Sequence, residues 1–317
     1  MRYDVDIKKI RQLQGWINKR IGGMLKGHYG GVFKIGRGLY AMHTDGVGTK
    51  VLVAQRMNRF DTVGIDAVAM NANDLVCIGA RPLYGVDYLA LAEEDEWLIK
   101  EIMKGLLRGT REAGMEIVGG ETAIMKDVIK GEGRPFDLAF TAFGKVERLI
   151  TGEKIKPGDV VVGLESSGLH SNGYTLARKV LDADVWGEEM LKPTRIYVKP
   201  VMEMVEKNLA RGIAHITGGA YSKLLRLGKG FEINAIEPPE IFMELYKSVG
   251  DWREMYRTFN MGIGMVVVAD ERNVERVVGI AKKYKIRAHV IGKAMAEKAV
   301  YVNVNGKAVR VDFEGVG

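Results

Sequence analysis

Cysteine is nearly missing. Cys77 is the one thiol in 317 residues, so no intrachain disulfide can form, and a cytoplasmic location is expected. Long apolar runs are missing too, since no window approaches the roughly 18 residues of a membrane span. The first segment, MRYDVDIKKIRQLQ, has no apolar stretch, so a secretory signal is not expected. Charge of one sign is nowhere concentrated. The net charge is +7, yet the basic residues are scattered through stretches such as KLLRLGKG and AKKYKIR, with no dense run. That argues against a nucleic-acid partner and leaves an anionic substrate as the reason for the charge. Low-complexity segments and internal repeats are absent. The many Lys, Arg and Glu suit a thermophile's surface.

Glycine is what the chain has in quantity. There are 40 against 7 prolines, many of them paired beside polar residues, a pattern that suits ligand loops lined by backbone. The length favours two domains over one core. The polar segment TGEKIKPGD near residue 150 is the expected boundary, giving domains 1–150 and 151–317. Residues 1–37 read as a helix followed by a glycine-rich loop, GHYGGVFKIGRG. EEDEWLIKEIMKGLLRGTREAG is an amphipathic helix stopped by Gly114, EMYRTFNMGIGM is a loop leading into a buried strand, and AVYVNVNGKAVRVDF is a hairpin turning at Asn305-Gly306. Strands and helices mix irregularly, so the predicted class is α+β and not a doubly wound sheet.

Residues 64–79, GIDAVAMNANDLVCIG, predict an almost wholly apolar helix interrupted by Asp66, Asn71, Asn73 and Asp74. A helix apolar on all sides is buried, and a buried carboxylate needs a partner. Upstream lies HTDGVGTK, His43–Lys50. It lacks the order of a Walker A loop, and GRGLYA precedes a strand instead of following one, so neither is a nucleotide fingerprint. Alone, HTDGVGTK reads equally as a tight turn or a ligand loop. Asp45, Asp66 and Asp74, with Glu121 of GGET, would form an oxygen-rich set of the kind that suits Mg²⁺ holding nucleotide phosphates. Taken singly, each is as well explained as a hydrogen-bonded core carboxylate. ESSGLHSNGY places serines, a histidine and an asparagine around two glycines before a helix, where free N–H groups and hydroxyls suit an anion. His170 could donate to it or move a proton. AHITGGAYSKLLRL reads as a strand, a Gly-pair loop and a helix; its HITGG, with His215, Thr217, Gly218 and Gly219, has the same form as the earlier loop, and Cys77 reads as core.

Together with YDVDI, GIDAVAMNANDLVCIGARPLYGVDYLAL, PTRIYVK and EMYRTFNMGIGM, these stretches resemble the phosphoribosylformylglycinamidine cyclo-ligase (aminoimidazole ribonucleotide synthetase) family along nearly the whole chain. The resemblance implies a two-domain α+β fold, with an N-terminal ATP/Mg-binding and dimerisation domain whose sheets join into a barrel across a homodimer. The C-terminal domain would contribute substrate loops. It implies ATP and Mg²⁺, formylglycinamidine ribonucleotide as substrate, and ring closure in purine biosynthesis. It further implies His170, Asp74 and Lys50 as catalytic residues. Asp45, Gly46, Gly48, Thr49, Asp66, Asn73 and Glu121 would take the nucleotide, with Asp45, Asp74 and Glu121 on the metal. Ser167, Ser171, Asn172, Thr217 and Gly218 would face substrate, while Lys26 and His28 are candidates to close over ATP. KKIRQ after VDI, SSGLH for SSGPH and TGGA for TGGG are departures that fit an archaeal or thermophilic member. The alternatives are another ATP-dependent enzyme of the same superfamily, such as a thiamine-monophosphate kinase, or a non-catalytic ATP-binding paralogue. No membrane or nucleic-acid partner is expected.

Overall fold

The computed structural model describes residues 7–25 and 28–312, with side chains from Gln12 onward. Lys26 and most of YDVDI therefore lie outside the described residues. The first half contains α1 (Ile7–Asn18), β1 (Gly31–Ile35), β2 (Gly38–Gly46), α2 (Val51–Arg56), α3 (Val63–Cys77), β3 (Ala80–Leu91), α4 (Glu96–Ala113), β4 (Glu116–Ile124) and β5 (Phe136–Val146). Its strands form one sheet in the order β1-β2-β5-β3-β4, antiparallel except for the β3–β4 pair.

The second half contains β6 (Val160–Glu165), α5 (Tyr174–Val180), α6 (Ala183–Met190), α7 (Val198–Glu206), β7 (Ala210–His215), β8 (Gly230–Asn234), α8 (Glu240–Val249), α9 (Trp252–Thr258), β9 (Ile263–Ala269), α10 (Val274–Lys283), β10 (Ala288–Met295), β11 (Val300–Val304) and β12 (Lys307–Arg310). These strands make a second sheet, β12-β11-β8-β10-β6-β9-β7. Every residue of β9 is buried, as its unbroken apolar run IGMVVVA predicts. The class is α+β, as expected. Among the described residues, no helix is long and apolar enough to cross a membrane.

α3 is the keystone of the packing. All 15 of its residues are buried. It lies on the inner face of the first sheet and also packs against β7 and α7 of the second half. α4 approaches it backbone to backbone: a Cβ on Gly64 would sit 2.3 Å from the Leu106 nitrogen, and one on Gly105 would sit 2.4 Å from the Asp61 carbonyl. Larger residues there would drive the two helices apart. α4 itself is capped as its sequence predicts, with Asp95 accepting from the Leu98 nitrogen at 2.9 Å and Gly114 closing it at φ 70°.

Three sequence expectations are corrected. Residues Gly31–Ile35, read as part of a glycine-rich loop, form β1 and pair with β2 through a turn at Gly36. Residues Met255–Thr258, read as loop, belong to α9 (Trp252–Thr258), which is capped by Asp251. The helix expected in AYSKLLRL is a 3-10 helix, Ala220–Leu227. The Asn305-Gly306 hairpin is present, with both residues at positive φ, 49° and 77°.

Candidate functional site

The polar interruptions of α3 part into two sets. Asp66 and Asn73 reach the second half. Asp66 Oδ1 accepts from the Thr194 nitrogen at 2.7 Å and from Thr194 Oγ1 at 2.6 Å, while its Oδ2 lies 2.8 Å from Lys50 Nζ. Lys50, at the end of the 3-10 turn Gly48–Lys50, donates in addition to the carbonyls of His170 at 3.2 Å and Lys192 at 2.7 Å. Both side chains of the pair are wholly buried. Burial pulls the Lys50 ammonium below its ordinary pKa, and Asp66 opposes it. Asn73 donates to the Arg195 carbonyl at 2.8 Å and accepts from the Tyr197 nitrogen at 2.8 Å. Lys50, expected to be catalytic, and Asp66 and Asn73, expected at the nucleotide, thus spend their polar atoms on holding residues 192–197 against α3.

His170 joins that same scaffold. It was expected to handle a proton, but its ring is buried and its Nε2 accepts from the backbone nitrogens of Ser167 at 3.1 Å and Arg195 at 3.5 Å. An Nε2 that accepts leaves the neutral Nδ1–H tautomer. Burial first, then His215 and the Lys50 and Arg195 cations, push its pKa well below 6.5. His170 sits at φ 62°, and a Cβ on Gly264 would come within 2.4 Å of its Cε1, so the loop closes tightly around the ring. Ser167 Oγ donates to the Pro193 carbonyl at 2.6 Å, and Ser171 Oγ lies 3.3 Å from Thr194 Oγ1. Asn260, from the FN of EMYRTFNMGIGM, donates to the Gly168 carbonyl at 2.8 Å and also takes part in loop closure. Arg257 binds the carbonyls of Val311 and Asp312, away from this loop.

Asp74 belongs to the second set, a buried carboxylate held between two histidines. Its Oδ1 lies 2.8 Å from His215 Nδ1 and its Oδ2 lies 3.4 Å from His43 Nε2. Burial works to raise its pKa, but the His215 hydrogen bond and then the His43 charge bring it down to about 2. Asp45 is exposed at the end of β2, with Oδ1 accepting from the Gly46 nitrogen at 2.9 Å. The packing around its carboxyl raises its pKa, with His43 opposing and Asp74 adding. Thr49 Oγ1 lies 3.4 Å from Thr175 Oγ1, a contact between the two halves. Gly218 is exposed beside Asn172 Oδ1, and Asn172 Nδ2 is buried without a hydrogen-bond partner among the described residues.

Glu121 does not join this group. Its register partner is Tyr88, on the sheet face turned away from α3. Asp45 belongs to the row Asp45–Phe140–Asp87–Gly120 on the α3 face. Among the described residues, no three His, Cys, Asp or Glu side chains gather closely enough to cage a metal. The two carboxylates of Asp45 and Asp74 still fit Mg²⁺, which commonly binds through one or two carboxylates plus phosphate oxygens. Two groups escaped the sequence reading. Asp87, in the same row as Asp45, is nearly buried, and burial raises its pKa; its signal is a lone acid in the strand GVDYLAL. Lys223 follows the Gly218-Gly219 pair by one turn, and a lysine so soon after paired glycines is the signal that could have found it.

Two buried imidazoles make a prediction about acid. His170 and His215 both have pKa values lowered from 6.5, in each case chiefly by burial. The unfolded chain takes up these protons near pH 6.5 and the folded chain does not, so stability is full above that pH and declines below it. Asp74 adds a further loss as the pH falls from 3.8 toward about 2. The calorimetric melting temperature is therefore expected to drop on going from pH 7 to pH 5. A flat profile over that range would show that neither ring is buried neutral.

The comparisons with known proteins agree with this architecture. The N-terminal domain of AIR synthase related proteins matches residues 27–146, and the C-terminal domain matches residues 156–305. The phosphoribosylformylglycinamidine cyclo-ligase of Saccharolobus solfataricus is 47% identical over 285 residues, covering 86% of each chain. That of Methanocaldococcus jannaschii is 48% identical over 305 residues, covering 89% of this chain and 86% of its own. Among solved structures, a chain from a HypE–HypF complex superposes with a TM-score of 0.72 at 21% identity, covering 95% of this chain and 98% of that one. AaThiL complexed with AMPPCP and TMP gives 0.68 at 17% identity, covering 97% and 99%. At those identities the likeness is one of fold.

Proposed function

The chain belongs to the phosphoribosylformylglycinamidine cyclo-ligase family, and from that membership we propose how its site works. It is an ATP-dependent ligase that closes formylglycinamidine ribonucleotide to 5-aminoimidazole ribonucleotide, with release of ADP and phosphate. In this reaction the formyl oxygen attacks the terminal phosphorus of ATP and ADP leaves. An amidine nitrogen then attacks the formyl carbon, and the carbon–oxygen bond breaks to free phosphate. Both steps depend chiefly on positioning and charge neutralisation.

Asp45 and Asp74 are the residues that would hold Mg²⁺, which when bound supplies positive charge to the nucleotide phosphates. The single observation that carries this reading is the pair of neighbouring carboxylates on the α3 side of the sheet, with Asp74 held ionised by His215. Gly46, Gly48 and Thr49 offer backbone and hydroxyl contacts, and Gly218, Asn172, Ser167, Ser171 and Thr217 line the substrate side. Lys50, Asp66, Asn73 and His170 position these loops from behind. Residues 1–150 would carry the nucleotide and the dimer contact, and residues 151–317 the substrate loops. The outer face of the first sheet exposes Met42, Tyr84, Val86, Tyr88 and Val118, an apolar surface that supports pairing with a second copy into a barrel. Glu121 would then act on the partner's side or only at that contact. The single buried cysteine suits a reducing cytoplasm.

The test is direct. The protein is incubated with formylglycinamidine ribonucleotide, ATP and Mg²⁺, and the aminoimidazole product is sought by mass spectrometry. Absence of product under conditions where ATP binds would sink this reading and favour a non-catalytic ATP-binding role.

A further inference from the structure

Lys223 stands on the 3-10 helix Ala220–Leu227, half-buried and one turn after the Gly218-Gly219 pair. Its ammonium donates to Thr217 Oγ1 and lies 6.0 Å from the centroid of the Tyr29 ring. Tyr29 brings it to the catalytic face, because the adjoining Gly30 packs on Leu75 and Ile78, at the α3 end that carries Asp74, and against the Met42 carbonyl of β2. Thr217 approaches from the other side, two residues after His215, which holds Asp74. Among the described residues no carboxylate forms an ion pair with Lys223, although Asp74 and Asp45 are the acids whose charge acts on it. An ammonium has three donors, and Thr217 takes one. Two have no protein acceptor among the described residues. A cation held near two carboxylates yet unpaired with them suits a polyanion lying between, with metal on the acid side and lysine on the other.

We propose that Lys223 is the cation that contacts the phosphoryl group during its transfer from ATP. The role rests on the ligase reading above, and it replaces the one that HTDGVGTK suggests for Lys50, whose ammonium is sealed behind the site by Asp66 and two carbonyls. Arg226, one turn on and 5.2 Å over the same Tyr29 ring, reinforces the positive wall.

Three variants test the assignment: Lys223→Met, Lys223→Gln, which keeps a donor for Thr217 without charge, and Lys223→Arg. Removing one charge-stabilising donor typically lowers kcat by about 100-fold, and that loss is expected for the Met and Gln variants, with KM for the amidine substrate little changed. The Arg variant should recover part of the loss. Wild-type kcat in either neutral variant, or an Arg variant no faster than Gln, would overturn the proposal. If the wild-type chain itself forms no aminoimidazole product, the ligase reading fails separately, and Lys223 is judged by calorimetric binding of Mg-ATP. The Gln variant should then bind about tenfold more weakly, as for loss of one charge-assisted hydrogen bond, and equal affinities would overturn the assignment.

Discussion

Asp66→Ala is expected to cost about 3–5 kcal/mol of folding stability, because it leaves a buried ammonium without its counter-charge. The Lys50 side chain has no exposed surface, and water cannot replace the missing carboxylate. The same change removes the acceptor of both Thr194 donors, so the loss includes two orphaned groups in addition to the ion pair. Total stabilities of domains are typically about 5–15 kcal/mol, so this one substitution would take a large share. Urea unfolding of the two proteins measures it. A companion, Lys50→Met, removes the charge but keeps most of the volume, leaving Asp66 as the lone buried ion with its Thr194 hydrogen bonds intact; it should be less severe. A loss below about 1 kcal/mol for Asp66→Ala would put the pair among weak surface bridges and deny it the role assigned here.

Asp74→Asn should do the opposite: the fold survives and the chemistry does not. Asparagine has the same shape, and its Oδ1 can still accept from His215 Nδ1, so the contact that anchors α3 to β7 remains. What disappears is the negative charge that Asp74 shares with Asp45 beside the phosphate path. Turnover is expected to fall by about 1,000-fold or more, the upper end of what a single preorganised electrostatic group supplies. The protein should still fold cooperatively, with a melting temperature several degrees below wild type because the charge that His215 and His43 stabilise is gone. A variant that closes the ring at the wild-type rate would remove Asp74 from the reaction. A variant that fails to fold would instead place it with Asp66 as a structural acid.

Asp66 and Asp74, two acids of one helix, explain what the sequence could and could not reveal. Their helix was legible because an unbroken apolar stretch with four polar interruptions can only be buried, and each interruption then needs a partner. The partners were not legible. Thr194 is 128 residues from Asp66, and Tyr197 is 124 from Asn73, distances that only tertiary packing connects. Asp66 and Asp74 differ in role because they point at different neighbours: at about 100° per residue Asp66 shares a face with Asn73, and Asp74 lies a step round from it.

The errors in local structure have similarly physical origins. β1 was hidden by flanking glycines that read as loop, although VFKI between them is good strand sequence. α9 spans 7 residues, too few for a period to emerge. Glu121 was misplaced because β4 is exposed or part-exposed along its length and its register with β3 shifts between Gly85 and Val86. In a strand without a clearly buried face, alternation cannot tell which side a residue takes, and one step reverses the answer. His170 looked catalytic by the company it keeps in ESSGLHSNGY, and only its burial and backbone donors show it as a support for that loop.

The keystone position of α3 has a consequence for anyone who would divide this protein. The polar stretch after β5 separates the two sheets along the chain, and it looks like the place to cut a gene in two. The first fragment would then leave bare the side of α3 that now rests on β7 and α7, with Asp66, Asn73 and Asp74 stripped of their partners. The second would lose the Asp66 and Asn73 side chains that hold residues 192–197 in place. Neither piece is a natural product for separate expression, and an active split enzyme would have to be assembled from fragments made together.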